Sequence, residues 1–309
     1  MLLASTKVKN TKYIFILLLL VSVGLISTNL CYSSDNKTKI PDWLKRIDIG
    51  VDVGTGQKPR IYFETVQPLY QRASKQNTFF IQPRYSLESG DSAYNLGLGY
   101  RRLLHNNSVL LGINSFFDYQ DPGDHYRIGF GIETFINQIE FRGNSYIGLS
   151  PRRKMYETSS IIRYEKAADG LDAELGLPLP YLNWIKVHAG GYWYNYENFS
   201  DKGGWKIRSE IKPFRFSTIN LIVYDDNKGD TEVRVDARVA IPFEVFYGKD
   251  KLNRLKKLCN IGFSKKAYPE KIYHITRTLD RVEREYKIEV EKWTESKIGG
   301  VIVEIKRGN

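Results

Sequence analysis

Tyr94-Asn95-Leu96-Gly97-Leu98-Gly99-Tyr100-Arg101 is the stretch that decides the fold. Tyr94, Leu96, Leu98 and Tyr100 alternate with Asn95, Gly97, Gly99 and Arg101. A period of two means a β-strand with one apolar and one polar face. The pattern returns where Tyr126, Ile128, Phe130 and Ile132 alternate with Arg127, Gly129, Gly131 and Glu133. It returns again where Val233, Val235, Ala237, Val239 and Ile241 alternate with Glu232, Arg234, Asp236 and Arg238. The polar face is crowded with glycine and charge. Small soluble barrels are usually apolar inside and polar outside. An exported chain with many strands of this kind fits the opposite arrangement, lipid outside and water inside.

Outward from that stretch, turn signals recur at hairpin spacing: Gly54-Thr55-Gly56, Ser89-Gly90-Asp91, His105-Asn106-Asn107, Asp121-Pro122-Gly123, Asp169-Gly170, Asp201-Lys202-Gly203-Gly204 and Asp226-Asn227-Lys228-Gly229. Between them about twelve strands are expected, each near the roughly 9–11 residues that a tilted spanning strand needs. They begin near residues 45, 60, 78, 92, 108, 125, 138, 171, 184, 204, 217 and 231. Leu171, Ala173, Leu175, Leu177 and Leu179 face lipid in this reading, with Asp172 and Glu174 in the lumen. Val109, Leu111, Ile113 and Phe117 face out, with Gly112, Asn114 and Asp118 in. Unpaired strand edges cannot sit in hydrocarbon, so the sheet must close. The expectation is an all-β, transmembrane antiparallel barrel. An even strand number puts both barrel ends on one side, the periplasm, which the chain enters first. The basic segment 150–164 has two open readings, a surface loop or an extra irregular hairpin.

Lys7, Lys9 and Lys12 precede an apolar run from Tyr13 to Ile26. The run is short for a spanning helix and fits a secretory signal peptide. Cys31 offers a lipoprotein signal as the rival, against a poor Thr28-Asn29-Leu30 context. Export then leads to the outer membrane of a Gram-negative cell. The mean hydropathy of −0.40 resembles that of a soluble protein, but barrels hide lipid contact in alternate residues. Aromatic residues make up 13% of the chain, with 21 Tyr and 5 Trp, which suits interfacial girdles. Loss of the leader with Cys31 would leave Cys259 alone, so no intrachain disulfide is expected. The net charge of +11 comes with no nucleic-acid-binding module. Anionic headgroups or glycans suit it better.

The pattern changes after residue 246. Leu252, Leu255 and Leu258 lie at helical spacing. Ile272, Ile275, Leu279 and Val282 come after Pro269 and Glu270 at a similar spacing, so a second helix is expected there. Short extended pieces with a Gly299-Gly300 turn should come next. The helical stripes either pack against the periplasmic mouth or plug the lumen. The domains expected are a signal peptide over 1–31, a lead-in over 32–43, the barrel over 44–246, and a linker or plug with a short C-terminal segment over 247–309.

Several blocks resemble the translocator domain of the inverse autotransporters, the intimin and invasin group of outer-membrane adhesins. They are Phe63-Glu64-Thr65-Val66-Gln67-Pro68-Leu69, Phe79-Phe80-Ile81-Gln82-Pro83-Arg84, Asn95 to Arg101, Leu111-Gly112-Ile113-Asn114-Ser115-Phe116-Phe117-Asp118-Tyr119, and His125-Tyr126-Arg127 with Gly129-Phe130-Gly131-Ile132-Glu133. Their order and spacing are more specific than any one block, and the resemblance covers about 44–246. The run from Leu279 through Asp280, Arg281, Val282, Glu283, Arg284, Glu285, Tyr286 and Lys287 to Ile288 is similar to the family's post-barrel linker. The resemblance implies twelve strands and a C-terminal segment threaded through the pore. It also implies export of the polypeptide downstream of the barrel, with residues after about Leu279 reaching the surface. Two departures stand out. No peptidoglycan-binding domain precedes the first strand, and the sequence ends at Asn309 without Ig-like repeats.

The lumen-lining candidates are Arg101, Asp118, Arg127, Glu133, Asp172, Glu174, Arg234, Asp236 and Arg238. The linker candidates are Leu279, Arg281, Val282, Glu283, Arg284 and Ile288. Two readings of the lumen charges stay open: a selective pore or cradle for the linker, or mutual compensation in a wet lumen. Inward Gly97, Gly99, Gly129 and Gly131 leave room for a plug or allow curvature. No Gly-x-Ser-x-Gly elbow and no His/Cys metal spacing occurs. The Asp124-His125 pair reads as a surface or interface histidine. No catalytic residue, cofactor or metal is therefore expected. Expected partners are outer-membrane lipids, the barrel-assembly machinery reading the strand end at Phe243 and Phe246, and a surface partner of the C-terminal segment. A stand-alone barrel or narrow plugged pore is the alternative.

Overall fold

The computed structural model describes residues 41–240, 251–268 and 272–305. The leader, Cys31, Phe243, Phe246, Pro269 and Glu270 lie outside the described residues. Antiparallel strands succeed one another: β1 (Ile47–Gly54), β2 (Gln57–Thr65), β3 (Gln67–Gln71), β4 (Asn77–Glu88), β5 (Asp91–Leu104), β6 (Val109–Asp121), β7 (His125–Ile136) and β8 (Ile139–Gly148). Two short strands, β9 (Arg153–Glu157) and β10 (Ile161–Ala167), interrupt the series. It resumes with β11 (Asp169–Leu179), β12 (Leu182–Asn195), β13 (Lys202–Ile211), β14 (Ser217–Asp226) and β15 (Gly229–Ala240). Strands β2 and β3 both pair with β4, on either side of a break at Val66, and form one stave. Strand β15 pairs with β1 from Ala240 opposite Asp48 to Arg234 opposite Gly54. The sheet is thus a closed twelve-stave barrel with no free edge, as lipid demands.

The alternation sets the register, because a slip of one residue would turn every side chain to the wrong face. Leu98 and Ile113 are 54% and 60% exposed, whereas Arg101, Asp118 and Arg127 are fully buried. Apolar side chains therefore face outward and charges inward, as a membrane barrel requires. Aromatic residues gather at both rims. Tyr70, Phe79 and Tyr100 ring the end where β1 begins and β15 stops, the near rim. Exposed Trp193 and Trp205 mark the far rim.

At the near rim, α1 (Lys251–Leu258) forms where the leucine stripe predicts it. The chain beyond it packs on the near-rim turns. The Arg215 N–H donates to Leu258 O (3.0 Å), Asn260 N–H to Pro213 O (2.8 Å) and Tyr181 N–H to Ala267 O (2.9 Å).

Among the described residues, the second expected helix does not form. Its stripe contains one 3-10 turn at His274–Thr276, and the chain then runs through the lumen without regular structure. The cause is competition for the backbone: lumen side chains satisfy its amides and carbonyls. It leaves at the far rim as β16 (Val290–Ser296), which pairs with β10 from Ala167 opposite Val290 to Ile161 opposite Ser296. Strand β17 (Ile302–Glu304) folds back on β16 after Gly299 and Gly300, both at positive φ. The 150–164 segment is thus a hairpin outside the barrel, and it adds no stave. The sheet β17-β16-β10-β9 stands over the far rim.

Candidate functional site

The site is the lumen, with residues 277–289 running through it. Inward positions of β4 to β8 supply polar side chains at the heights where the threaded backbone has unpaired groups. Such groups are costly when buried without partners. Gln82 Oε1 accepts from Val282 N–H (2.9 Å). Asn95 Nδ2 donates to Tyr286 O (3.0 Å) and Asn144 Nδ2 to Glu283 O (3.3 Å). The Tyr146 hydroxyl accepts from Glu285 N–H (2.9 Å), and Gln120 Oε1 from Ile288 N–H (3.1 Å). Arg127 donates to Glu285 O (2.7 Å) and Lys287 O (3.1 Å). Arg101 donates to Thr278 O (3.3 Å) and to Asp280 O.

Apolar anchors fix the depth. Val282 and Tyr286 pack with Val66, Phe80 and Phe116, and Leu279 covers the cluster. Phe80 and Phe116 are aromatic residues on the lumen side, which simple alternation assigns to charge. Space comes from glycine: a Cβ at Gly99 would lie 2.2 Å from Phe80 Cζ, and one at Gly97 2.3 Å from Phe116 Cζ. A Cβ at Gly129 would lie 2.6 Å from Arg284 Nη2. Two glycines thus seat wall rings, and one makes room for the threaded segment.

The nine charged lumen candidates divide into two groups. Six meet the threaded segment. Arg101 and Arg127 hold its carbonyls, and Asp118 pairs with Arg284 at 2.7 Å. Arg234 meets Glu285 at 3.3 Å, Asp236 meets Arg281 at 3.5 Å and Arg238 meets Glu283 at 3.4 Å. The other three serve the wall. Glu133 pairs with Arg101 at 2.8 Å, Asp172 accepts from Asn144 (3.1 Å) and Tyr146, and Glu174 pairs with Arg142 at 3.0 Å and with Arg208. All six linker candidates lie inside the barrel. Ile288 is 2% exposed, and the chain reaches the outer sheet at Val290.

Sequence reading missed Glu64, Gln82, Arg84, Gln120, Asn144 and Tyr146. Arg84 pairs with Glu64 at 2.6 Å and stacks between Tyr62 (3.5 Å) and Tyr286 (4.3 Å). The signal was parity: Gln82 and Arg84 share a face with Phe80.

At the far rim Asp124 accepts from the Tyr119 hydroxyl (2.7 Å) and forms no pair with His125. The buried His125 ring lies 3.3 Å from both Ser150 Oγ and Glu165 Oε2, and so ties β7 to the outer hairpin. Burial alone would raise the Glu165 carboxyl, but His125 and Lys292 hold it below its ordinary value. His188 lies 3.6 Å from Glu174 in the barrel wall. Past the rim, Trp293 is 1% exposed and its ring sits 5.7 Å from that of Tyr164. Glu291 accepts from the N–H groups of Glu197 (3.1 Å) and Asn198 (2.8 Å).

A sequence profile described as inverse autotransporter, beta-domain, matches residues 27–260. The inverse autotransporter adhesin YeeJ of Escherichia coli K12 is 31% identical over 169 residues, which is 52% of this chain and 7% of that protein. The chain thus spans only a small part of this relative. A solved structure from work on the in-meso crystallization of membrane proteins shares the fold, with a TM-score of 0.62 at 18% identity over 80% of this chain and 99% of that one.

Proposed function

The chain belongs to the inverse autotransporter β-domain family, and from that premise we propose that its outer-membrane barrel exports the polypeptide downstream of its last strand. The near rim faces the periplasm and the far rim the cell surface. The observation that carries this reading is the continuous cradle from Thr278 to Ile288, after which β16 is taken up by a strand of the far-rim hairpin. A plug that merely blocked the lumen would need its buried backbone satisfied in the same way, but not a partner strand waiting outside. The lumen segment holds the chain in transit, and residues from Val290 onward are displayed. Display serves attachment to a surface partner, as the likeness to an adhesin suggests. The barrel-assembly machinery inserts the barrel.

The test is an epitope placed in the Gly299-Gly300 turn, where added atoms would meet open space. Antibody should label it on intact cells. The same epitope in the near-rim turn at Asn137 should be reached only after permeabilisation. If the first epitope is never labelled on intact cells that carry folded barrel, the export reading fails.

A further inference from the structure

The threaded segment does not fill the lumen evenly. It packs against β2 to β8, where its anchors are, and leaves space toward β12 to β15. Among the described residues, two cavities occupy it. One, of about 440 Å³, extends to the far rim, where Gly56, Gln57 and Lys292 line it. The other, of about 240 Å³, extends to the near rim, where Arg46, Arg215 and Ala240 line it. Arg281 and Glu283 line both. Between them they form one bridge across the free side of the lumen. Arg281 Nη2 sits 2.8 Å from Glu283 Oε2. The pair is braced by Asp236 on Arg281 (3.5 Å), Glu64 on Arg281 (3.5 Å) and Arg238 on Glu283 (3.4 Å).

We infer that the lumen beside the threaded segment is an ion pathway for small anions, closed at the single septum formed by Arg281 and Glu283. Basic side chains outnumber acidic ones on the walls of both cavities. Wall charge of one sign favours permeation of the opposite ion. An ion that crosses must part a buried, braced pair, and that pair offers no space while it is intact. The septum belongs to the threaded segment and not to the wall, so any movement of this segment along the lumen moves the barrier with it. The inference does not depend on whether residues after Val290 are exported.

The experiment uses the full chain in planar bilayers. Replacing one partner would strand the other as a buried charge, so the variant is Arg281→Ala with Glu283→Ala. Its conductance should exceed that of the unmodified protein at least about three-fold, with a reversal potential in a KCl gradient favouring chloride. Lys154→Ala, on the exposed outer hairpin and in the wall of neither cavity, should leave conductance unchanged. A folded double variant that conducts no better, or that prefers potassium, overturns the proposal. A second measurement covers failure of the double variant to fold. In a background with Cys31→Ser and Cys259→Ser, Lys206→Cys should react with a membrane-impermeant thiol reagent added on the far side only. Lys212→Cys, in the near cavity, should react from the near side only. Reaction of either cysteine from both sides, with the septum intact, would also overturn it.

Discussion

Arg284 of the threaded segment meets Asp118 of β6 with Nη2 2.7 Å from Oδ2, and both side chains are sealed from solvent. The same carboxylate takes the Nε–H of Arg127 at 2.8 Å. Asp118 thus serves two cations, one fixed in the wall and one carried by the segment. Removing it leaves two buried guanidiniums without their counter-charge. Asp118→Asn should cost about 3–5 kcal/mol, the scale for breaking a buried pair. The double change Asp118→Asn with Arg284→Gln should recover part of that loss. Urea unfolding of the barrel in detergent, read by gel mobility before and after heating, checks both.

Gly97 and Gly129 face different neighbours, and the same substitution should separate them. An alanine methyl at Gly97 would meet the ring of Phe116, which is fixed in the anchor cluster. At Gly129 it would meet Arg284 Nη2, the atom that holds Asp118. Gly97→Ala should therefore destabilise by about 1–3 kcal/mol, as overpacking does, whatever stands at position 284, whereas the loss in Gly129→Ala should shrink in an Arg284→Gln background. A Gly129→Ala loss of the same size with and without Arg284, in the same unfolding assay, would contradict the assignment of its role.

Trp293 anchors the outer sheet through its contact with Tyr164 of β10. Trp293→Ala should free β16 from β10 at a cost of about 3–5 kcal/mol for a large buried aromatic. The barrel itself should keep its unfolding midpoint. Limited proteolysis of intact cells reads the difference, with cleavage after residue 290 rising many-fold in the variant. Unchanged cleavage would mean that the sheet is held by something other than this ring.

His274 supplies a pH dependence at the near rim, outside the spanning strands. Its backbone N–H donates to Asn107 O at 2.7 Å, and its side chain is buried beside Phe135. Burial first, and then the charge of Arg277, push the imidazole from 6.5 down to about 4; Lys186 acts the same way, while Glu140 and Asp280 oppose. Between those values the undocked ring binds the extra proton, so docking is complete above 6.5 and weakens as pH falls toward 4. Hydrogen exchange in residues 272–280, corrected for intrinsic rate, should therefore be faster at pH 5 than at pH 7. His274→Leu should remove the difference.

The barrel was legible because lipid imposes a simple rule on every stave. Expected strand starts near 45, 78 and 125 correspond to Ile47, Asn77 and His125. The same alternation puts Arg101, Asp118 and Arg127 on the polar face. What it could not show was which charges meet the threaded segment and which compensate the wall. Glu133 and Arg234 read alike in sequence; one pairs with Arg101 of the wall two staves away, the other with Glu285 from far along the chain. Phe80 and Phe116 were hidden for a related reason, since their place inside depends on Gly97 and Gly99 lying opposite.

The stripe Ile275, Leu279, Val282 misled because apolar spacing of three and four describes any segment with one buried side. A helix forms only if its own backbone is the best partner available. Here Gln82, Asn95, Arg101, Arg127 and Asn144 are better placed, and they can be so only after the barrel has closed around the segment. The sequence alone determined the staves, their two faces and the closed sheet, because alternation and the demand for paired backbone are local. The tertiary structure decided the path of the linker, the septum at Arg281 and Glu283, and the pairing of β16 with β10. Each of these depends on groups far apart in the chain that meet only when the lumen exists.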